Sequence, residues 1–232
     1  MDVPSCVLIV PDGNRRWARA NGLSVVEGHT QGLLVNTRQL ANAAYNLGIK
    51  HMVFLWATEA NFQKRQSEVP HLLNLFNQEL LYQTCGRGRC ARFRVCGNWA
   101  DYIDSHENKR LQALVDKAER AKSRFESFAV TLLFGYSEAA DVLYAAKNLG
   151  AARVSISEES LISHSMTPMI PPIDLIIRTG VEGDPHYSDY HIPLRTRNSQ
   201  VVFSEILAPD FTSEHFESAI KDFSRRERRL GQ

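Results

Sequence analysis

Six short apolar runs, helical spacing in the gaps between them, and polar residues gathered just after the runs predict an α/β protein: a single domain over residues 1–232 with a mainly parallel central sheet flanked by helices. The first run, residues 6–10, is apolar on both faces, as a buried parallel strand requires, and Pro11 and Gly13 end it. Leu33, Leu34, Leu40, Ala41, Ala44 and Leu47 recur at three and four, which predicts a helix stopped by Gly48. A strand follows at 51–56. Val69, Leu72, Leu73, Phe76, Leu80 and Leu81 set a second helix, and 93–96 a third strand. Leu111, Leu114, Val115 and Ala118 mark another helix before the strand at 128–134, and 139–149 gives a fourth. The last strands are expected at 174–177 and 201–206. In such sheets ligands bind beyond the carboxyl ends of the strands. Residues 12–16, 58–61 and 178–180, each following a strand, should therefore converge on one cleft.

Composition narrows the function classes. A net charge of +1 gives no global basic field for nucleic acid, so anion binding has to come from local clusters. No apolar run reaches the ~20 residues that cross a bilayer, and the amino-terminal residues lack a charged region followed by a long apolar core. A cytoplasmic protein with no transmembrane segment is the expectation. Cys85 and Cys90 are spaced more widely than a zinc knuckle, and no paired histidines follow. Free thiols are expected, with Cys6 and Cys96 on strands as small core residues.

The segment from Val7 to Trp17 carries the most chemistry. A strand enters an acidic turn, two arginines follow, and the amides at the start of the next helix can face an anion. Asp12 can hold Mg²⁺ while Arg15 and Arg16 clamp phosphate oxygens. Taken alone, the same residues also describe an ordinary Asp-Gly-Asn turn with solvated arginines. Likewise, the leucine and phenylalanine stripe of the second helix reads either as pocket lining or as core packing.

Further motifs resolve the choice. Asp12 to Ala18, Gly28-His29 with Gly32, Asn61-Phe62 followed by Glu68-Val69, Asp174 to Gly180, Pro209-Asp210-Phe211, and Arg226 to Gly231 occur in one order along the chain. Together they resemble the cis-prenyltransferase, or undecaprenyl diphosphate synthase, family. The resemblance implies an α/β homodimer that uses Mg²⁺ to transfer an allylic group from its diphosphate to a second isoprenoid. It implies that Gly13, Asn14, Arg15 and Arg16 hold the leaving diphosphate and that Asp12 brings the metal. His29 and Asn61 match active-site positions that orient the diphosphate or assist proton removal. Arg229 and Gly231 match a tail that reaches across the dimer to the partner's diphosphate. Trp17, Thr58, Phe62, Glu68, Leu72 and Phe76 are the candidate pocket residues.

The chain departs from the family pattern mainly on the acceptor side. Residues 181–191 replace the family's glycine-glutamate and arginine-x-serine elements, with Tyr187 and Asp189 near the expected arginine and serine. Gln200 stands where the family has a metal-binding glutamate, and a neutral amide is a poorer Mg²⁺ ligand than a carboxylate. Arg178 remains, Arg195 and Arg197 are candidates for the missing positive charge, and Glu182 or Glu205 for the lost carboxylate. An intact donor signature beside a rebuilt acceptor points to a second allylic diphosphate, dimethylallyl or geranyl, as nucleophile. The expected reaction is an irregular head-to-middle coupling of the lavandulyl type. Regular elongation with isopentenyl diphosphate, or a non-catalytic partner subunit, are the alternatives.

Overall fold

The computed structural model describes residues 3–85, 90–183 and 191–226. Its strands are β1 (Cys6–Val10), β2 (His51–Thr58), β3 (Arg92–Cys96), β4 (Ala129–Tyr136), β5 (Leu175–Arg178) and β6 (Gln200–Phe203). They form one sheet of order β3-β4-β2-β1-β5-β6, and every neighbouring pair is parallel. The chain leaves β1 toward β2 on one side and returns to β5 on the other. The carboxyl end of β1 is thus a topological switch point, where a parallel sheet opens a crevice.

Alternation along β1 divides the core. Val7 and Ile9 enter the larger cluster with Phe54, Phe76, Phe93 and Phe134, to which α3 (Asn36–Asn46), α5 (Val69–Thr84), α6 (Ser105–Lys122) and α9 (Ser213–Arg225) contribute. Cys6, Leu8 and Val10 enter a smaller cluster with Val53, Leu133, Tyr136 and Ile176. Asp141, near the start of α7 (Glu138–Ala152), is buried but fully engaged. Its carboxylate accepts hydrogen bonds from the Tyr136 hydroxyl at 2.9 Å, the Thr167 hydroxyl at 2.8 Å and the Met166 amide at 2.6 Å, which ties α7 to the sheet.

All six expected strands are present, and the sheet is wholly parallel. Two expectations change. The helix expected over 33–47 is broken: α2 (Val25–His29) runs into a π-helical turn, Thr30–Val35, before α3 begins. Such turns insert one extra residue into a helix and recur at functional sites. The last strand ends at Phe203 rather than 206, because Ser204 and Ile206 carbonyls receive the amides of Val181 and Gly180 in a loop-to-loop clasp. Helix α9 was not anticipated, although Phe216, Ala219, Ile220 and Phe223 have helical spacing and form its buried face. No thiol among the described residues is paired; Cys6 and Cys96 lie on strands, and burial pushes the Cys96 thiol up to about 12.

Asp174 belongs to one of the sequence motifs, yet it lies at the amino end of the sheet. Its carboxylate accepts from the Ser5 amide at 2.7 Å and the Cys6 amide at 3.1 Å, so it registers β1 against β5. In the same region His51 is buried, bonded to the Thr131 hydroxyl at 2.8 Å, and burial lowers its pKa to about 4. The unfolded chain therefore binds a proton at His51 between about pH 6.5 and 4 that the folded chain refuses. Stability should be complete above 6.5 and fall as pH drops through that window. Urea unfolding midpoints at pH 7 and pH 5, compared between the wild type and His51→Gln, test this: the variant should show the shallower loss.

Candidate active site

A cleft of about 580 Å³ opens at the carboxyl ends of β1 and β2. Its lining follows from how the chain leaves β1. Asp12 is fixed through its backbone: its amide donates to the Thr179 hydroxyl at 3.0 Å, and its carbonyl accepts from the Ala208 amide at 2.9 Å. Gly13 then takes a left-handed conformation (φ 102°) against Leu207, where a Cβ would sit 2.7 Å from a Leu207 methyl. Gly180 does the same from β5 (φ 65°), with its absent Cβ 2.7 Å from the Asp12 carbonyl. Only glycine fits these two positions.

The side chains around Asp12 are electrostatically arranged. Arg178 approaches one carboxylate oxygen at 3.3 Å, Arg16 stands 3.6 Å from the other, and the Gly13 amide donates to the same oxygen at 2.6 Å. Arg16 is held in place by the Gly180 carbonyl at 2.5 Å and by Glu182 at 2.9 Å. Arg15 pairs with Glu68 at 3.6 Å. Among the described residues the cleft lining counts six cations, Arg15, Arg16, Arg19, Lys64, Arg65 and Arg178, against one carboxylate, Asp12. A cleft so charged is suited to a diphosphate.

Asn14 opens α1 (Asn14–Ala20), with its side-chain amide donating to the Pro11 carbonyl at 3.0 Å and its carbonyl oxygen buried without a partner. Gly28 and Gly32 exist to admit it. A Cβ on Gly28 would meet the Asn14 backbone carbonyl at 2.4 Å, and one on Gly32 would meet its side-chain oxygen at 1.7 Å. That packing sets His29, which lies between the two glycines, on the cleft wall. His29 is held near a pKa of about 4 by burial, with His71, Arg15 and Arg65 pushing the same way, so it is a neutral imidazole. Asn61 is on α4 (Glu59–Lys64), where its side-chain oxygen accepts from the Thr58 amide at 2.8 Å and hydroxyl at 3.0 Å and completes a capping box. Its oxygen is thus committed to the fold, and its amide nitrogen is the group left for a ligand.

The structure brings Asp12, Gly13, Asn14, Arg15, Arg16, His29, Thr58, Asn61, Leu72 and Arg178 to this cleft. Other candidates lie elsewhere. Trp17 turns away and donates from its indole to Asp210 at 2.8 Å, pinning α1 to the 208–210 turn. Phe62 packs on Tyr102 and Phe134, and Phe76 stacks on Phe134 with centroids 4.3 Å apart; both are core. Glu68 sits behind the wall, between Arg15 and His29. Arg195 and Arg197 do not join the site. The Arg195 carbonyl accepts from Ile173, just before β5, its guanidinium meets the Pro168 carbonyl at 3.2 Å, and Arg197 pairs with Glu158 at 3.0 Å. Both precede β6, which starts beside Leu175 at the amino end of the sheet, opposite the cleft. Gln200 begins β6 beside Leu175, at that same end. Arg229, Gly231, Tyr187 and Asp189 lie outside the described residues. Arg19 and Arg65 were not anticipated. Arg19 follows Arg15 by one helical turn and so had a positional signal, whereas Arg65, three residues before Glu68, had none.

The donor set also fits a metal in one particular way. No group of three His, Cys, Asp or Glu side chains among the described residues can hold a metal by itself. Mg²⁺ is commonly bound through one or two carboxylates, with phosphate oxygens and water completing the shell. Asp12, half exposed at the cleft, meets that need if the ion arrives with the diphosphate.

An α/β fold with a cationic cleft at the switch point defines a class of diphosphate-binding enzyme. The "Putative undecaprenyl diphosphate synthase" family model matches residues 10–231, and the chain belongs to this prenyltransferase family. It is 33% identical over 234 residues to an isoprenyl transferase of Aquifex pyrophilus, covering 100% of this chain and 97% of that protein. It is 31% identical to a (2Z,6Z)-farnesyl diphosphate synthase of Solanum lycopersicum, covering 99% of this chain and 79% of that protein. Its fold is similar to the crystal structure of lavandulyl diphosphate synthase from Lavandula x intermedia in complex with dimethylallyl diphosphate (TM-score 0.88, 24% identity, 99% of both chains).

The two arginine groups predict opposite outcomes. Arg65→Ala should raise KM for a prenyl diphosphate by roughly 10- to 100-fold, the worth of one charge-assisted contact. Arg195→Ala and Arg197→Ala should leave it unchanged. Steady-state kinetics on the three variants distinguishes the cleft cations from the distant ones.

Proposed function

We propose that this chain is a short-chain prenyl diphosphate synthase that ionises dimethylallyl or geranyl diphosphate and couples it to a second allylic diphosphate by head-to-middle condensation. It works as a homodimer with Mg²⁺, and the product is a branched diphosphate of the lavandulyl type. The observation that carries the reading is the gathering of Asp12, Arg15, Arg16 and Arg178 in one cleft, while the sequence position of the family's metal-binding carboxylate is the neutral Gln200, which begins β6 outside that cleft.

Ionising an allylic C–O bond requires charge stabilisation on the departing diphosphate. Arg15 and Arg16, already oriented by Glu68 and Glu182, supply it without reorganising, and Arg178 adds a third guanidinium. Mg²⁺, when bound through Asp12, would add Lewis-acid stabilisation to the same oxygens. Val10, Leu33, Leu55, Trp56, Ala57 and Leu72 form the apolar part of the lining, which keeps water from the carbocation. β2 carries a register shift across Leu55 to Ala57, and such a bulge turns consecutive residues toward one site. Phe76, one turn after Leu72 on α5, stacks on Phe134 in the core behind this lining.

A second allylic diphosphate places its alkene where isopentenyl diphosphate would stand in regular elongation. Lys64, Arg65 and Arg19 leave enough positive charge for its phosphates. Incubating the pure protein and Mg²⁺ with dimethylallyl diphosphate alone should give a branched ten-carbon diphosphate, identified by mass spectrometry and NMR. Product formed only when isopentenyl diphosphate is present would exclude head-to-middle coupling and leave cis elongation. Asp12→Ala should lower turnover on the order of a thousandfold; unchanged turnover would remove Asp12 from the reaction.

A further inference from the structure

Behind the cleft wall lies a group of titratable side chains that the reading above does not use. The His71 ring, on α5, stacks on His29 with centroids 5.6 Å apart and planes 16° apart. Glu68, one turn earlier, brings a carboxylate oxygen 3.9 Å from the His29 Nε2. Three buried polar atoms in this group have no hydrogen-bond partner among the described residues: His29 Nδ1, Glu68 Oε2 and His71 Nε2. Each such atom is a desolvation cost that the fold carries without a compensating bond. Three together are out of keeping with a merely structural cluster and in keeping with one that handles a proton. His29 lines the cleft and His71 does not, so His71 can act on substrate only through His29.

We propose that His71 is a positioning residue that fixes the His29 imidazole as the proton acceptor of the coupling step. This rests on the prenyl coupling proposed above. Once the C–O electron pair has left with the diphosphate and the acceptor alkene has bonded to the allylic cation, a tertiary cation remains. A C–H bond beside it breaks, its electron pair closes the new C=C bond, and the proton passes to a ring nitrogen of neutral His29. The groups that face His29 are Arg15 from α1, Arg65 before α5, and Glu68 and His71 from the start of α5. His71 and both arginines push its protonation downward, beyond the effect of burial. His71 itself is lowered by burial and raised by Glu68, so the carboxylate steadies the ring that steadies His29. The stacked ring also prevents the imidazole from rotating out of line with the cleft.

The test compares wild type with His71→Phe, which keeps a stacked ring and the burial but removes both nitrogens, and with His71→Asn in case the first does not fold. With dimethylallyl diphosphate and Mg²⁺, His71→Phe should lower kcat on the order of tenfold with KM little changed. The acid limb of kcat/KM, which reports His29 of the free enzyme at about 4, should move upward, because a charge that opposed His29 protonation is gone. The fraction of cation captured by water as prenyl alcohol should rise. NMR titration of the His29 ring proton in wild type and His71→Asn reads the same displacement without turnover. A wild type that does not couple prenyl groups would defeat the underlying reading. A wild type that does, with the acid limb, the alcohol fraction and the His29 titration all unmoved in the variants, would defeat the role of His71 alone.

Discussion

Everything at the cleft depends on how the backbone of Asp12 is held. The residue follows the central strand of a parallel sheet, where it could point anywhere, and it is fixed from two separate segments. Thr179 after β5 takes its amide, and Ala208 after β6 gives its carbonyl a donor. Neither bond forms unless the three chains approach closely. Gly13 and Gly180 permit that approach because both adopt φ values that a side chain resists and both abut backbone or packed atoms. The Pro209-Asp210-Phe211 motif gains a physical meaning from this arrangement. Its neighbours brace the Asp12 turn, Asp210 holds Trp17, and Asn36 bonds the Ala208 and Phe211 carbonyls. These residues do not line the active-site cleft, yet the position of the carboxylate is set through them.

A fixed Asp12 turn determines where the charges go. Arg16 is four residues along a short helix that starts at the turn, and Arg178 ends the adjoining strand, so the two guanidinium groups flank one carboxylate. Like charges gathered this closely repel, and the fold offsets the repulsion with carboxylates outside the lining: Glu182 for Arg16 and Glu68 for Arg15. An incoming diphosphate meets cations whose orientation is already established, which is the condition under which electrostatic stabilisation is most effective.

The strands were legible because a parallel sheet buried on both faces leaves uninterrupted apolar runs, and the residues just past their carboxyl ends named the cleft. The first motif was visible as a local unit, since Asp12 to Arg16 are contiguous, and all five line the cleft. What the sequence hid was direction. Trp17 and Phe76 carry the right chemistry for a pocket, but α1 turns the indole toward Asp210 and α5 sends the phenyl ring into the core. Arg195 and Arg197 were proposed on charge alone, and the chain between β5 and β6 carries them to the amino end of the sheet, where no strand terminus collects ligands. Arg65 and His71 escaped notice for the opposite reason. Neither has a distinctive local pattern, and both matter through a neighbour that the fold supplies.

His29 shows how binding and chemistry are joined by the same charges. It is kept neutral by burial, by His71 and by Arg15 and Arg65, so it does not add another cation to the lining. A bound diphosphate offsets the two arginines, and the remaining opposition to a proton on His29 weakens accordingly. Under the proposed coupling, the imidazole would therefore be a better proton acceptor with diphosphate bound than without it. The sign matters there, because the proton would be taken after the allylic bond has broken, when the negative charge on the leaving group beside Arg15 would be greatest.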